Sequence, residues 1–338
     1  MVEIGFNGKW KSILLKNLLP AYFILTFTSS WLLWFASGVL AYGGELPPLD
    51  RGWLLAQIGV FCPSLWGLVF TAFLYPDRRK RCLAILGGIF LPATVLGWFI
   101  VDHGARNPGE LPLHLKAAIF GFGIIVLGFF VFSHQLGMVK RGPLNGKTLR
   151  WSLASAIQLP LFFLAGWLLL SLKTGDAGIG VWAKHPDRPV AALAVLFSFD
   201  MIFGGALGEE IGWRGFALPM LLRNSRPLGA ALVLGVGWSL WHLPIDLTAG
   251  FGAAGLFGAF FRLLFTCCLS VIMTWYFIRS GHGLLTAFLI HTTLNWLPVM
   301  EFANYESSMV LLFIMMALFA AVVGLGDKNM RGPRGPLS

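Results

Sequence analysis

Charge is what this chain has least of. Its 338 residues hold 15 Asp and Glu against 25 Lys and Arg, and charged residues make up 12% of the total. A soluble domain carries about twice that fraction. No hydrophilic stretch is long enough to form an extramembrane domain. Cysteine is also scarce. Cys62, Cys82, Cys267 and Cys268 sit within or at the edge of apolar segments and form no CxxC pair. That spacing excludes a disulfide framework and a zinc knot and leaves them as small packing residues. No HExxH is present, so an ordinary zincin is excluded as well. No internal repeat is visible, whereas a secondary transporter is expected to show inverted repeats of broken helices.

Apolar sequence fills the space. The chain is 57% apolar, with a mean hydropathy of +0.76. Ten segments are candidate spans, and all but the sixth have about the 18–25 residues that a hydrocarbon core of ~30 Å requires. They run near 19–42, 52–75, 82–101, 113–138, 151–172, 190–222, 228–247, 256–278, 283–300 and 307–325. The sixth is too long for one span and contains something extra. A span placed at 199–222, with 190–198 as a lead-in, brings its polar residues to the depth of those in its neighbours. The first segment is longer than a signal-peptide core and lacks a small-residue cleavage site, so it is read as retained.

Basic residues cluster in every second connection. Lys9, Lys11, Lys16, Arg78–Arg81, Lys140, Arg141, Lys147, Arg150, Arg223, Arg226, Arg279, Lys328, Arg331 and Arg334 fall on one side. The other side is diluted by Glu45, Asp50, Asp102, Glu110, Asp176, Asp187, Glu301 and Glu306. The net charge of +10 therefore orients a membrane protein by cytoplasmic positive charge and does not indicate nucleic acid. The expected fold is an all-α, polytopic transmembrane helical bundle of about 8–10 spans, both termini cytoplasmic. The expected location is a bacterial cytoplasmic membrane. The runs GGIF near Gly87, GFG near Gly121 and GVG near Gly235 lie where helices are expected to pack closely. The Gly- and Pro-containing linker 174–189 divides the chain by function. Residues 1–175 hold transmembrane helices of unassigned role, 189–300 a functional core, and 301–338 a final span and basic tail.

The core carries ionisable residues at membrane depth, where they are expensive and need partners. In the stretch GGALGEEIGWRGFALPMLL, Glu210 and Arg214 are four apart and share a helix face. Glu209 points about 100° away from Glu210, one residue's turn of a helix. One carboxylate is then paired and structural, and the other is free for proton chemistry. Trp238 and His242 share a face in WSLWH, where tryptophan limits water access and fixes the imidazole; His291 and Asn295 share one in HTTLN. Glu209, His242 and His291 are also reasonable zinc ligands. The reading is therefore no cofactor, with zinc as the alternative. Asp200 lines the site or sits at its edge. Arg262 snorkels or pairs with Asp246 and is assigned no chemistry. His103, His185 and His282 lie near span ends and are read as solvated.

EEIGWR fits E-E-x-x-x-R, WSLWH fits an aromatic, three residues and His, and HTTLN fits H-x-x-x-N. In this order, each on its own segment, they resemble the CPBP intramembrane proteases, which include CAAX prenyl endopeptidases and bacteriocin-processing proteins. The likeness covers about Asp200–Pro298. It implies an intramembrane endopeptidase in which Glu209 activates water and His242 helps to hold it. His291 and Asn295 would donate to the oxyanion, with Glu210, Arg214 and Trp238 in support. Trp238 stands where phenylalanine is commoner. The implied partners are a membrane-associated peptide or protein substrate and the lipid bilayer. Two other readings stay open: a non-catalytic scaffold or immunity protein that retains the motifs, and a proton-coupled transporter, since intramembrane Glu, His and Arg also mark proton relays.

Overall fold

A computed structural model describes residues 8–38, 50–106, 111–132, 146–179, 189–247 and 253–332. The protein is an all-α polytopic membrane bundle. Nine helices among the described residues are long and apolar enough to cross a membrane. The helices are α1 (Gly8–Ser37), α2 (Arg51–Leu74), α3 (Arg79–Ile85), α4 (Leu91–Arg106), α5 (Leu113–Phe132) and α6 (Gly146–Thr174). Then follow α7 (Pro189–Phe203), α8 (Ala206–Gly212), α9 (Leu218–Leu222), α10 (Pro227–Asp246), α11 (Ala253–Arg279), α12 (Leu284–Trp296), α13 (Tyr305–Gly326) and α14 (Lys328–Arg331). Starts follow local chemistry. The Asp50 carboxylate accepts from the Trp53 N–H at 2.9 Å to cap α2. Pro227, whose missing N–H costs nothing in a first turn, opens α10. Lys140, Arg141, Lys184, His185, Asp187, Arg188 and Arg334 lie outside the described residues.

Two expectations are corrected. The segment near 283–300 is not one continuous helix. Its helix, α12, has 13 residues, or ~20 Å at the rise of an α-helix. Pro298 then begins a 3₁₀ turn, Pro298–Met300. The helix is instead an inner element. Its residues from Leu284 to Ile290 are mostly buried, and Phe288 stacks on Phe130 at 3.9 Å between ring centroids. The second correction concerns the long sixth segment, which divides at Gly204–Gly205 and not at a 190–198 lead-in. The Gly204 N–H closes α7 onto the Asp200 carbonyl at 2.7 Å. Gly205 has a φ of 106°, which only glycine adopts at no steric cost, so the helix stops there and α8 starts afresh.

The expected glycine contacts are present in two of the three runs. Nothing lies within 4 Å of where a Cβ would sit at Gly87 or Gly121. The GFG run packs closely through Gly123, against Ser198, and the GVG run through Gly235, against the Cys267 backbone. The tightest seam was not expected and joins α2 to α8. A Cβ at Gly208 would stand 2.6 Å from the Val60 carbonyl oxygen, and one at Gly67 would stand 2.9 Å from Gly212 Cα. One at Gly212 would overlap the Pro63 carbonyl. Gly212→Ala should therefore push the two helices apart. The expected loss is about 1–3 kcal/mol, the usual cost of overpacking. Unfolding in detergent measures it.

The basic connections gather at one end. Arg223 donates to the Tyr75 hydroxyl at 2.8 Å, Thr148 to the Ser280 carbonyl at 3.1 Å, and α14 packs on α10. At the other end Asn304 donates to Thr174 Oγ1 at 3.1 Å and to the Asp176 carbonyl at 3.2 Å. Just past α13, Asp327 accepts from Trp275 Nε1 at 2.7 Å, from the Asn329 N–H at 2.8 Å and from Arg279. Desolvation pushes its carboxyl up, but these donors and the Arg279 charge outweigh that and hold it at about 2. A depressed carboxyl stabilises the fold above its unfolded value, near 3.9, and loses that contribution as pH falls toward its folded value. The thermal midpoint of wild type should exceed that of Asp327→Asn by a constant margin above about pH 5. The margin should close as pH falls from about 4 to 2.

Candidate active site

The motif residues converge on one cavity of about 260 Å³. Glu209 reaches it from α8, Trp238 and His242 from α10, and His291 and Asn295 from α12. Glu210 and Arg214 stand behind its wall, both with fully buried side chains. The 100° offset between the two acids gives them separate surroundings. Glu209 Oε2 accepts from Trp238 Nε1 at 2.6 Å and from Trp213 Nε1 at 3.3 Å. Its other oxygen, Oε1, would stand 2.6 Å from a Cβ at Gly205, and His291 Nε2 would stand 3.3 Å from the same point. Glycine thus lets both side chains approach the helix break.

Glu210 binds Arg214 Nη1 at 3.0 Å (Oε1) and 3.3 Å (Oε2) and meets His291 Nδ1 at 2.7 Å. Engaging Nδ1 turns Nε2 of the same ring toward Gly205. The Arg214 guanidinium also lies 4.3 Å from the centroid of the Trp238 ring, a cation–π contact that is strong when desolvated. His242 Nδ1 lies 2.9 Å from the Trp238 carbonyl oxygen, which leaves Nε2 for the cavity. Asn295 donates one amide N–H to the Gly204 carbonyl, an acceptor the helix break frees from α-helical bonding. Immediately after α8 the backbone widens into a π-helix, Trp213–Ala217, a feature often seen at functional sites.

Three contributions to this site were not read from the sequence. Trp213 is four residues after Glu209, the same spacing that identified Arg214, so helical periodicity could have found it. Trp34 of α1 and Val60 of α2 line the cavity, which gives the first two helices a structural role. Arg262 lines it too, bonded through Nε to Asp246 at 2.5 Å; the expected pairing is present, and its position in the cavity is new. Asp200 is buried beside Gly204 and does not line the cavity. Among the described residues no three His, Cys, Asp or Glu side chains are grouped so as to hold a metal ion.

The bundle and its cavity define an integral membrane protein with a buried Glu, His and Asn constellation. Residues 191–297 match the model of the type II CAAX prenyl endopeptidase Rce1-like family. It is similar to CAAX prenyl protease 2 of Methanococcus maripaludis, 25% identical over 128 residues, which are 36% of this chain and 46% of that protein. The chain thus matches less than half the length of that relative. It is also similar to a UPF0060 membrane protein of Rhodococcus erythropolis, 30% identical over 104 residues, which are 30% of this chain and 84% of that protein.

Proposed function

We propose that this protein is a membrane endopeptidase that hydrolyses peptide bonds with water activated by Glu209, without a metal. The observation that carries this reading is the cavity that Glu209, His242, His291 and Asn295 line together. The substrate is a membrane-associated peptide or protein, and the membrane is that of a bacterial cytoplasm.

Glu209 Oε2 is tied down by two indoles, so Oε1 takes the proton from water, which His242 Nε2 helps to hold. The hydroxide attacks the scissile carbonyl carbon. The oxyanion accepts from His291 Nε2–H and from the second amide N–H of Asn295; an amide has two donors, and Gly204 takes only one. Glu209 then passes its proton to the leaving nitrogen as the C–N bond breaks, giving an acid and an amine. For His291 to donate from Nε2 while Nδ1–H faces Glu210, the ring carries a charge. Two acids, Glu209 and Glu210, then face two cations, Arg214 and His291, and the buried cluster is neutral. Such donors, fixed before the reaction, stabilise the developing charge by several kcal/mol.

The test is cleavage of membrane-associated peptides by purified protein in detergent, with and without a strong chelator. Cleavage that survives chelation is expected. Loss on chelation with recovery on adding zinc would make Glu209, His242 and His291 metal ligands instead.

A further inference from the structure

Trp151 gathers two guanidiniums at the basic end of the bundle. It lies in the second turn of α6, and the guanidinium carbons of Arg150 and Arg279 stand 5.5 and 5.8 Å from its ring centroid. Arg279 closes α11 and also stands 5.6 Å from the centroid of the Trp275 ring. The Thr148 hydroxyl ties the two helix ends together through the Ser280 carbonyl. Asp327 answers one of these charges, accepting from Arg279 and Trp275. Lys147 on α6 and Lys328 and Arg331 within a turn of Asp327 add positive charge. By the alternation of connections, the other acids of this end are Asp77, beside Arg78–Arg81, and Glu3. Segments 133–145 and 333–338, which join α6 and α14, contain Lys140, Arg141 and Arg334 and no Asp or Glu. They can bring this corner further positive charge but no carboxylate side chain. Along the same helices the surface turns apolar. Leu149 and Leu153 of α6 and Val322 and Leu325 of α13, which packs on α6, are 47, 53, 67 and 64% exposed.

Cations over exposed leucines have the polarity of a phospholipid, charged at one end and apolar along the rest. We propose that the corner of α6, α11 and α14 binds a phospholipid with an anionic headgroup. Arg150 and Lys147, three apart on one face of α6, hold its phosphate, and its acyl chains lie along Leu149, Leu153, Val322 and Leu325. A guanidinium fork matches a phosphate with two parallel hydrogen bonds. Indoles concentrate at headgroup level, and the Trp151 face restrains both guanidiniums by cation–π attraction before a lipid arrives. The ion pair with Asp327 keeps Arg279 in place, so the charge left over falls on the lipid-facing side of Trp151. A zwitterionic headgroup brings its own ammonium and loses the net attraction. A free phosphate ion would use the cations and leave the leucines unused. The site lies outside the cavity and does not depend on peptide cleavage.

The test titrates purified protein in a neutral maltoside detergent with phosphatidylglycerol, with phosphatidylcholine of the same acyl chains, and with inorganic phosphate. Bound lipid is counted by native mass spectrometry, and the thermal midpoint is followed in all three. Phosphatidylglycerol should bind saturably and raise the midpoint, as any ligand of the folded state does, while the other two should not at the same concentrations. Lys147→Gln with Arg150→Gln should weaken phosphatidylglycerol binding on the order of tenfold to thirtyfold, the loss of two interfacial charges. Arg150→Gln alone should weaken it about fivefold. Both side chains are exposed, so the midpoint without lipid should stay at the wild-type value. Arg79→Gln with Lys80→Gln, which removes the same charge from a separate basic connection, should leave the affinity within about twofold, because distant surface charges are screened. Equal losses in the two double variants overturn the proposal, since the lipid would then answer only the net charge of this end. Phosphatidylcholine binding as tightly as phosphatidylglycerol overturns it too. So does a midpoint shift from inorganic phosphate as large as the lipid's, which would assign the cations to a soluble anion.

Discussion

Glu209→Gln should lose peptide cleavage by about 10²–10⁴-fold while the protein stays folded, the range expected when a general base is removed. The substitution is nearly isosteric. Its amide oxygen still accepts from Trp238 and Trp213, now 2.6 and 3.3 Å from Oε2, so packing around α8 is preserved. What disappears is the proton acceptor at Oε1, beside Gly205 and His291. The readout is kcat on a cleaved peptide together with the thermal midpoint. Cleavage within about twofold of wild type would remove Glu209 as the base. His291→Ala should reduce cleavage by a comparable factor, through loss of an oxyanion donor worth about 10²–10³ in kcat.

Arg214→Ala should act on stability first. Its side chain is completely buried and holds Glu210, also completely buried, at 3.0 Å. Removing one partner of a buried pair leaves an uncompensated charge and costs about 3–5 kcal/mol. Glu210 would keep only His291, and the Trp238 ring would lose the cation 4.3 Å from its centroid. Arg214→Lys should restore only part of the loss, because an ammonium lacks the planar fork that stacks on the indole. Unfolding in detergent measures both variants, and a loss below about 1 kcal/mol for Arg214→Ala would show that the pair is not needed for the fold.

The sequence exposed this site well where chemistry conflicts with solvent. Glu209, Glu210, Arg214, His242 and His291 stand out because ionisable side chains are rare in apolar segments, and helical spacing then pairs Glu210 with Arg214. Backbone events were less visible. The break after α7 depends on Gly205 adopting a φ of 106°, and a glycine pair does not announce that conformation. The early end of α12 is hidden in the same way: apolar composition continues past Trp296, while the helix end is set by Pro298 and the turn that follows. The glycine seam between α2 and α8 was missed for a similar reason. Its residues, Gly67, Gly208 and Gly212, are far apart in the chain, and neither helix carries a pattern that names the other. Arg262 was noticed, and its pairing with Asp246 was foreseen. Its place in the cavity depends on how α10 and α11 pack, which one helix at a time does not reveal.

That seam also bears on inheritance. The stretch with family likeness begins at residue 191, yet the helix bearing Glu209 lies backbone to backbone on α2, and Trp34 and Val60 close part of the cavity. The motif-bearing half and the N-terminal helices are therefore obliged to change together. A chimera that grafts residues 189–300 onto another protein's first helices would have to reproduce the close approach of the Val60 and Pro63 carbonyls to Gly208 and Gly212. Few donors would supply it.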